Sequence, residues 1–237
     1  MRHVLIVMPV VFAMLASGAH AASVSLFPTR DNTLFQDTNG DTSNGAGPMF
    51  SGRTNQNRLR RAVIAFDLQG VVETSAVVDS VSLVLHVSNA SEQTLRTFEL
   101  HRVSQDWGEG SSSTTGGTGT IATPGDATWL NTFFPSSFWT TPGGDFDSTA
   151  SASKSVEGDG FYAWASAALT QDVRAWIAQP QDNHGWILVG DEITSGSARR
   201  FDSRENTTEA NRPVLTIYFT TVATLKTSLG QMKARYR

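Results

Sequence analysis

Cysteine is absent from this sequence of 237 residues. The chain therefore has no disulfides, no thiolate ligands for a metal ion and no cysteine nucleophile. Its stability has to come from the burial of an apolar core. A hard cation held by oxygen ligands is the remaining means of cross-linking such a chain.

Charged residues are also scarce, at 17% of the sequence, which excludes a coiled coil and a highly charged disordered chain. Five of the 18 basic residues lie in the first 21 or the last 16 positions, where no acid occurs. Residues 22–221 thus hold 13 Lys and Arg against 22 Asp and Glu, a net charge of −9. Because so acidic a body matches nucleic-acid phosphates poorly, nucleic acid is not expected as a partner.

Only one apolar run is long, and it extends from Val4 to Ala16. It follows Arg2, is shorter than the ~20 residues of a membrane-spanning helix and precedes an Ala-x-Ala site that ends at Ala21. The pattern predicts a signal peptide over residues 1–21 and an exported mature protein with no membrane span. An uncleaved membrane anchor is the alternative.

Short alternating or β-branched runs, separated by Gly, Asn, Asp, Ser and Thr, follow from Val24 onward and predict an all-β sandwich or barrel. One helix is expected over Leu169–Ala178, before Pro180. Gly108–Asp126 and Asp145–Gly160 are predicted to be surface loops. We expect a single domain over residues 22–221, followed by a basic tail over residues 222–237. The predicted strands are Val24–Phe27, Thr33–Phe35, Arg61–Asp67, Ser80–Val87, Phe98–Val103, Gly185–Val189 and Val214–Phe219.

Residues 57–68, NRLRRAVIAFDL, resemble a strand of the bacterial and archaeal DNRLRE-type domains, which are related to the disaggregatase-related repeat. Further blocks agree with that family in order, so that the resemblance covers nearly all of residues 24–220. They are Leu100–Val103, Asp106–Gly110, Gly125–Leu130, Trp139–Phe146, Asp172–Trp176, Asn183–Leu188 and Arg200–Asn206.

This resemblance implies a jelly-roll-like antiparallel β-sandwich that is exported and is not itself an enzyme. Related domains are classed with carbohydrate-binding modules, some of them associated with alginate or other acidic polysaccharides. Because a fold does not determine a function, the binding of sugar is an expectation by analogy.

Asp37, Asn39 and Asp41 place oxygen ligands at alternate positions around a glycine turn, an arrangement that suits a structural Ca²⁺ ion. An EF-hand is excluded because Pro48 occupies the position at which that loop has its closing glutamate. The alternative is a plain turn capped by an aspartate side chain.

Arginines form the densest basic cluster of the acidic body, and guanidinium groups can bind sugar carboxylates through two hydrogen bonds. Within this cluster, Arg53, Arg58 and Arg61 are the candidate ligand residues, with Arg60 between them. The alternative is structural: these side chains form internal ion pairs with acidic residues such as Asp67, Glu109 or Glu205.

All six tryptophans lie within residues 107–186. Trp129 and Trp139 flank a segment rich in phenylalanine, which either covers one end of the sandwich or presents a platform for sugar rings. We expect Phe133 and Phe134 to anchor this segment and Trp129 or Trp139 to be partly exposed to ligand. Trp176 and Trp186 follow apolar patterns and are expected in the core.

Catalysis has little support in the sequence, because the mature histidines lack metal-ligand spacing and no Gly-x-Ser-x-Gly or His-Glu-x-x-His motif occurs. The sequence therefore predicts a secreted, non-catalytic β-sandwich that binds an extracellular polysaccharide, with acidic alginate-like chains as one class. The alternative is a structural or adhesive matrix protein that assembles through protein–protein contacts.

Overall fold

The computed structural model describes residues 19–73 and 75–222. Strands hold 42% of the chain and helices 9%, which confirms the predicted all-β sandwich with one short α-helix in the described part. The predicted leader up to residue 18 and the predicted tail beyond residue 222 lie outside the described residues. No helix among those that are described has the length and apolar character needed to cross a membrane.

The elements follow one another in chain order. The strands are β1 (Ala19–Leu26), β2 (Arg30–Phe35), β3 (Thr42–Ser43), β4 (Met49–Arg53), β5 (Leu59–Ala65), β6 (Val77–Ala90), β7 (Arg96–Arg102), β8 (Thr120–Ile121), β9 (Asn131–Phe133), β10 (Ser137–Phe138), β11 (Ala152–Val156), β12 (Gly160–Ala165), β13 (Trp186–Val189), β14 (Arg199–Phe201) and β15 (Val214–Val222). The helix α1 spans Ala167–Ala178, and two 3₁₀ turns span Pro180–Asp182 and Glu209–Asn211.

Two antiparallel sheets form the sandwich. Sheet A has the order β1-β15-β6-β14-β4, with β12 on the free side of β6, and sheet B has the order β4-β5-β13-β7-β11, with β2 also paired to β5. The strand β4 belongs to both, since Ser51 pairs with β14 and Gly52 pairs with β5. Gly52 has a φ of +109°, and a Cβ there would lie 2.8 Å from the Cα of Ala198, so this crossing between the sheets requires glycine.

The main core lies between the sheets and follows the predicted period of two. Ala62 and Ile64 of β5 face Val81, Leu83, Leu85 and Val87 of β6, and all six are at most 1% exposed. Trp176 and Trp186 lie in this core as predicted, with ring centroids 4.6 Å apart. Burial of each large apolar side chain contributes roughly 1.5–3 kcal/mol to this core.

The helix α1 closes one side of the core. Its amphipathic pattern places Leu169, Val173 and Trp176 on the buried face, and the hydroxyl of Ser166 caps its first turn by accepting a hydrogen bond from the Leu169 amide at 2.9 Å. It begins two residues before the predicted start and ends at the predicted Ala178.

A second apolar cluster covers the outer face of sheet B. Val63 of β5 and Ile187 of β13 point away from the main core and pack beneath a segment of residues 126–146, which we call the aromatic lid. The outer face of sheet A has no such cover among residues 19–73 and 75–222, and it exposes Phe161 and Tyr218. The outer face of sheet B is therefore covered by chain, whereas the outer face of sheet A meets solvent.

The predicted loop at Asp145–Gly160 is wrong in part, because β11 lies inside it and pairs with β7. Ala152 and Val156 of this strand are buried, whereas Ser153 and Ser155 are exposed. So polar a strand at the edge of a sheet shows almost no hydrophobic alternation in the sequence.

Candidate functional site

Arg60 and Arg61 are neighbours in β5 and therefore point to opposite faces of sheet B. The guanidinium group of Arg61 forms two hydrogen bonds with Glu192, at 2.7 and 2.9 Å, and a third with the Gly143 carbonyl at 2.8 Å. It also lies 5.0 Å from the ring centroid of Trp129, within range of a cation–π contact. Arg61 is thus tied into the framework, with an acidic partner other than those named from the sequence.

Arg53 and Arg58 are placed differently. Arg53 donates to the side chain of Asn57 at 3.1 Å and to the Glu192 carbonyl at 3.0 Å. Arg58 is exposed, and its guanidinium group forms no ion pair with any described residue. For these two arginines, ligand binding stays a prediction.

The prediction that Trp129 or Trp139 is exposed to ligand is wrong. Trp129 is 8% exposed and Trp139 is 5% exposed, and the Trp139 indole donates to the Thr128 carbonyl at 3.0 Å. Both rings pack on the outer face of sheet B, where Leu34 and the other apolar side chains of that face would otherwise meet water. The segment is therefore a hydrophobic lid, which was the alternative interpretation.

The phenylalanines of the aromatic lid also differ in part from expectation. Phe133 and Phe134 are half-buried, whereas Phe138 is 63% exposed. The ring of the lid that faces solvent is thus a phenylalanine and not a tryptophan.

The predicted calcium turn contains the hydrogen bonds of an Asx turn. Oδ1 of Asp37 accepts from the amides of Asn39 and Gly40, and Oδ2 is buried without a partner in the described chain. The backbone carbonyl of Asp41 accepts from Ala122 at 2.8 Å. These hydrogen bonds account for the shape of the turn but leave Oδ2 of Asp37 unsatisfied, so calcium at Asp37, Asn39 and Asp41 stays a prediction.

Three arginines line a cleft of about 310 Å³ on the side of the sandwich where β4 meets β14. We call it the arginine cleft. No carboxylate lines it, and its other polar side chains are amides and hydroxyls. The lining residues are Phe50, Thr54, Asn55, Gln56, Arg60, Asn89, Ser91, Gly117, Thr118, Ala198, Arg199 and Arg200.

Arg60 and Arg199 are buried cations held mainly by backbone carbonyls. Arg60 donates to Gly117 at 3.1 Å, and its guanidinium group lies 4.7 Å from the ring centroid of Phe35. Arg199 donates to the carbonyls of Glu157 and Thr94 at 2.8 and 2.9 Å. Burial lowers the pKa of Arg60 to about 10 and lowers the pKa of Arg199 as well. Both remain charged at neutral pH and place positive potential beneath the cleft.

Arg200 is the third arginine and differs from the other two. It is half-buried, its Nε is fully buried without a hydrogen-bond partner, and its guanidinium group makes no ion pair within residues 19–73 and 75–222. A ligand cannot reach this buried Nε, so an acceptor in the cleft would have to bind the terminal nitrogens of the Arg200 guanidinium group.

A larger cleft, of about 590 Å³, lies near the ends of β7 and β13 and has the opposite charge. Glu99, Asp191 and Glu192 line it, and its one arginine, Arg96, already pairs with Glu92 at 2.7 Å. An anionic ligand therefore fits the smaller arginine cleft better than this one.

Three carboxylates form a separate group, which we call the acidic cluster. Asp31, Glu109 and Glu205 each place one oxygen within 4.8 Å of the others. Arg204 lies among them, with its Nε 2.6 Å from Glu109 and 2.8 Å from Glu205. Burial, and then the charge of Glu205, raises the pKa of Asp31 well above its ordinary value, and burial raises the pKa of Glu205.

The sequence indicated Arg60 as part of the basic cluster and Glu109 and Glu205 as acidic partners of arginines, but it did not indicate Arg199, Arg200 or Asp31. Arg199 and Arg200 stand together in the sequence, but β14 has only three residues and gives no periodic signal. Asp31 and Glu205 lie in opposite parts of the chain, and only the pairing of the strands brings them together. In comparisons with known proteins, the chain matches no family model and no curated protein, so the resemblance to DNRLRE-type domains stays a prediction.

Proposed function

We propose that this protein is an exported, non-catalytic binding domain for an extracellular polysaccharide that carries carboxylate groups, and that the arginine cleft receives it. The observation that carries the proposal is a cleft lined by Arg60, Arg199 and Arg200 with no carboxylate in its lining. The leader-like N-terminal sequence supports export.

Arginine suits such a ligand because its planar guanidinium group offers parallel N–H donors to both oxygens of a carboxylate. Arg200 has donors that no other described residue uses. The side-chain amides of Asn55, Gln56 and Asn89 both donate and accept hydrogen bonds, which matches the hydroxyl groups of a sugar. A volume near the lower end of ligand pockets, about 300 Å³, suits a short segment of a chain.

The charge of the whole body opposes this binding at long range, since residues 22–221 carry −9. Attraction therefore has to come from short-range contacts within the cleft, where the acceptor is partly desolvated. For that reason we expect selectivity for carboxylated over neutral sugars. We expect only a weak dependence of affinity on salt, because partly desolvated contacts are screened little and salt also screens the repulsion from the acidic body.

The test is titration calorimetry with oligomers of alginate, pectate and a neutral glucan. We expect binding of at least one acidic oligomer, and we expect Arg200→Ala to weaken it about 10-fold to 100-fold, the effect of one charge-assisted hydrogen-bonding group. Lys154→Ala is the matched control, because Lys154 is a cation of β11 that does not line the cleft.

Equal affinity of the wild-type protein and Arg200→Ala for the acidic oligomer would contradict the site. Equal binding of the neutral glucan would contradict the proposed ligand class. If chromatography shows that the oligomers become shorter during incubation with the protein, the non-catalytic role is contradicted.

A matrix protein is the second candidate, and the outer face of sheet A favours it. Phe161 is 56% exposed there and Tyr218 is 47% exposed. Exposed aromatic side chains on an open sheet can form contacts between copies of the chain. Sedimentation velocity over a range of protein concentrations tests this: self-association that Phe161→Ser removes would favour the matrix protein.

A further inference from the structure

The acidic cluster carries more negative charge than its surroundings neutralise. Three carboxylates, from Asp31, Glu109 and Glu205, meet one guanidinium group, that of Arg204. We propose that this cluster is a Ca²⁺ site, separate from the turn at Asp37 and independent of the proposed sugar binding. A divalent cation matches the residual charge of −2 that remains when all four groups are ionised.

Two oxygens of the cluster are free to bind a cation. Asp31 is fully buried; its Oδ2 accepts from the Arg204 amide at 2.9 Å, and its Oδ1 has no partner among the residues described. Glu205 repeats this pattern, with one oxygen 2.8 Å from Arg204 Nε and the buried Oε2 without a partner. Buried acceptors of this kind cost free energy unless a cation or a donor satisfies them.

The third carboxylate, Glu109, is held in place by its neighbours. Its oxygens accept from Nε and Nη2 of Arg204, both at 2.6 Å, and Oε1 also accepts from the Asp31 amide at 2.9 Å. The backbone amide of Asp31 is thus bonded to Glu109, and its side chain is bonded to the backbone amide of Arg204. Such contacts orient carboxylates before a metal binds and so reduce the cost of ordering them.

The ligand set and its spacing fit calcium. Ca²⁺ takes oxygen ligands at about 2.3–2.6 Å, so oxygens on one ion are at most about 5 Å apart. The three carboxylates meet this limit, since their closest oxygens lie within 4.8 Å of one another. With neither imidazole nor thiolate in the group, a hard cation is favoured over a transition metal.

The cluster is also reachable from solvent. Glu205 lines a cleft of about 280 Å³, together with Ser113, Thr114 and the oppositely charged Arg200 and Asp202. Water in that cleft can supply the further ligands that Ca²⁺ requires, since six to eight is its usual number. The fully buried Asp31 would then hold the ion from the protein side.

The test uses the full chain after treatment with a chelator, and the probe is Ca²⁺ alone. We expect calorimetric binding and, at a hundred times the dissociation constant, a rise in Tm of about 5–10 °C. Asp31→Asn and Glu205→Gln, which keep the side-chain shape, should each weaken Ca²⁺ binding at least tenfold. Asp37→Asn distinguishes the cluster from the turn at Asp37 and should leave binding at the cluster unchanged. The exposed Glu209→Gln is the control and should bind as the wild-type protein does.

Three results would overturn the site. The first is a wild-type protein whose Tm and calorimetric trace do not respond to Ca²⁺. The second is unchanged affinity in both cluster variants, or loss of binding in Asp37→Asn alone, which places the ion in the Asp37 turn. The third is a higher Tm for Asp31→Asn with no calcium response in any variant, which shows that the cluster holds a proton. If circular dichroism shows that Asp31→Asn does not fold, the calcium affinity of Glu205→Gln alone decides whether the cluster is the site.

Discussion

Arg61 on sheet B and Arg200 on sheet A are both half-buried, yet one is fully engaged and the other is not. Arg61 has a carboxylate, a backbone carbonyl and an aromatic ring as partners, whereas Arg200 has a buried Nε without a partner in the described part of the chain. Basic residues in a sequence therefore indicate charge only. Their partners decide whether they support the fold or remain free for a ligand.

The regions around these two arginines differ in the same way. On sheet B, Glu192 pairs with Arg61, and the aromatic lid contributes the Gly143 carbonyl and covers the apolar side chains of one face. Near Arg200, two clefts of about 280 and 310 Å³ meet, and the acidic cluster with its free oxygens borders the first of them. Three of the six buried side-chain polar atoms that lack a partner among the described residues belong to Asp31, Arg200 and Glu205, so this region is the better candidate for function.

The largest expected effect comes from opening the lid. Trp139→Ala should lower the free energy of unfolding by about 4 kcal/mol, because a buried indole and its hydrogen bond to Thr128 are lost. Phe138→Ala, at the adjacent and exposed position, is the control and should change it by less than about 0.5 kcal/mol. Urea denaturation measures both. Equal, small losses in the two variants would show that the lid does not stabilise sheet B.

A smaller effect is expected from breaking the ion pair beneath the lid. Arg61→Ala should cost about 3 kcal/mol, since it leaves Glu192 partly buried and unpaired. Adding Glu192→Gln should recover part of this loss in a double-mutant cycle, and polysaccharide binding should be unchanged. If Arg61→Ala has the stability of the wild-type protein but no longer binds acidic oligomers, Arg61 binds the ligand and does not support the fold.

Much of the fold could be predicted from the sequence. Alternation identified the inward residues of β6, and the apolar spacing with Pro180 identified α1. The edge strand β11 escaped because its polar residues carry almost no periodic signal. The second apolar cluster escaped for another reason: Val63 lies in a strand with both faces buried, and alternation assumes that one face meets water.

The candidate sites could be predicted much less well. The partner of Arg61 lies 131 residues away in the chain, and nothing near Arg61 in the sequence indicates it. The composition of the aromatic segment showed that some rings must be buried, but what they cover depends on how sheet B is oriented. Partners are a property of the assembled sandwich, so local patterns could not separate the Arg61 and Arg200 environments.

The smallest effect on stability, and the sharpest test of the comparison, is expected at Arg200. Arg200→Met removes the guanidinium group but keeps much of the apolar stem, and no hydrogen bond or ion pair to the described residues is lost. Because the change also removes a buried donor without a partner, the free energy of unfolding should stay within about 0.5 kcal/mol of the wild-type value or rise. Urea denaturation measures it, with Arg61→Met as the matched control on sheet B, where a loss near that of Arg61→Ala is expected. A loss of more than about 2 kcal/mol in Arg200→Met would mean that Arg200 supports the fold as Arg61 does. The arginine cleft would then be a structural feature of the sandwich and not a site for sugar carboxylates.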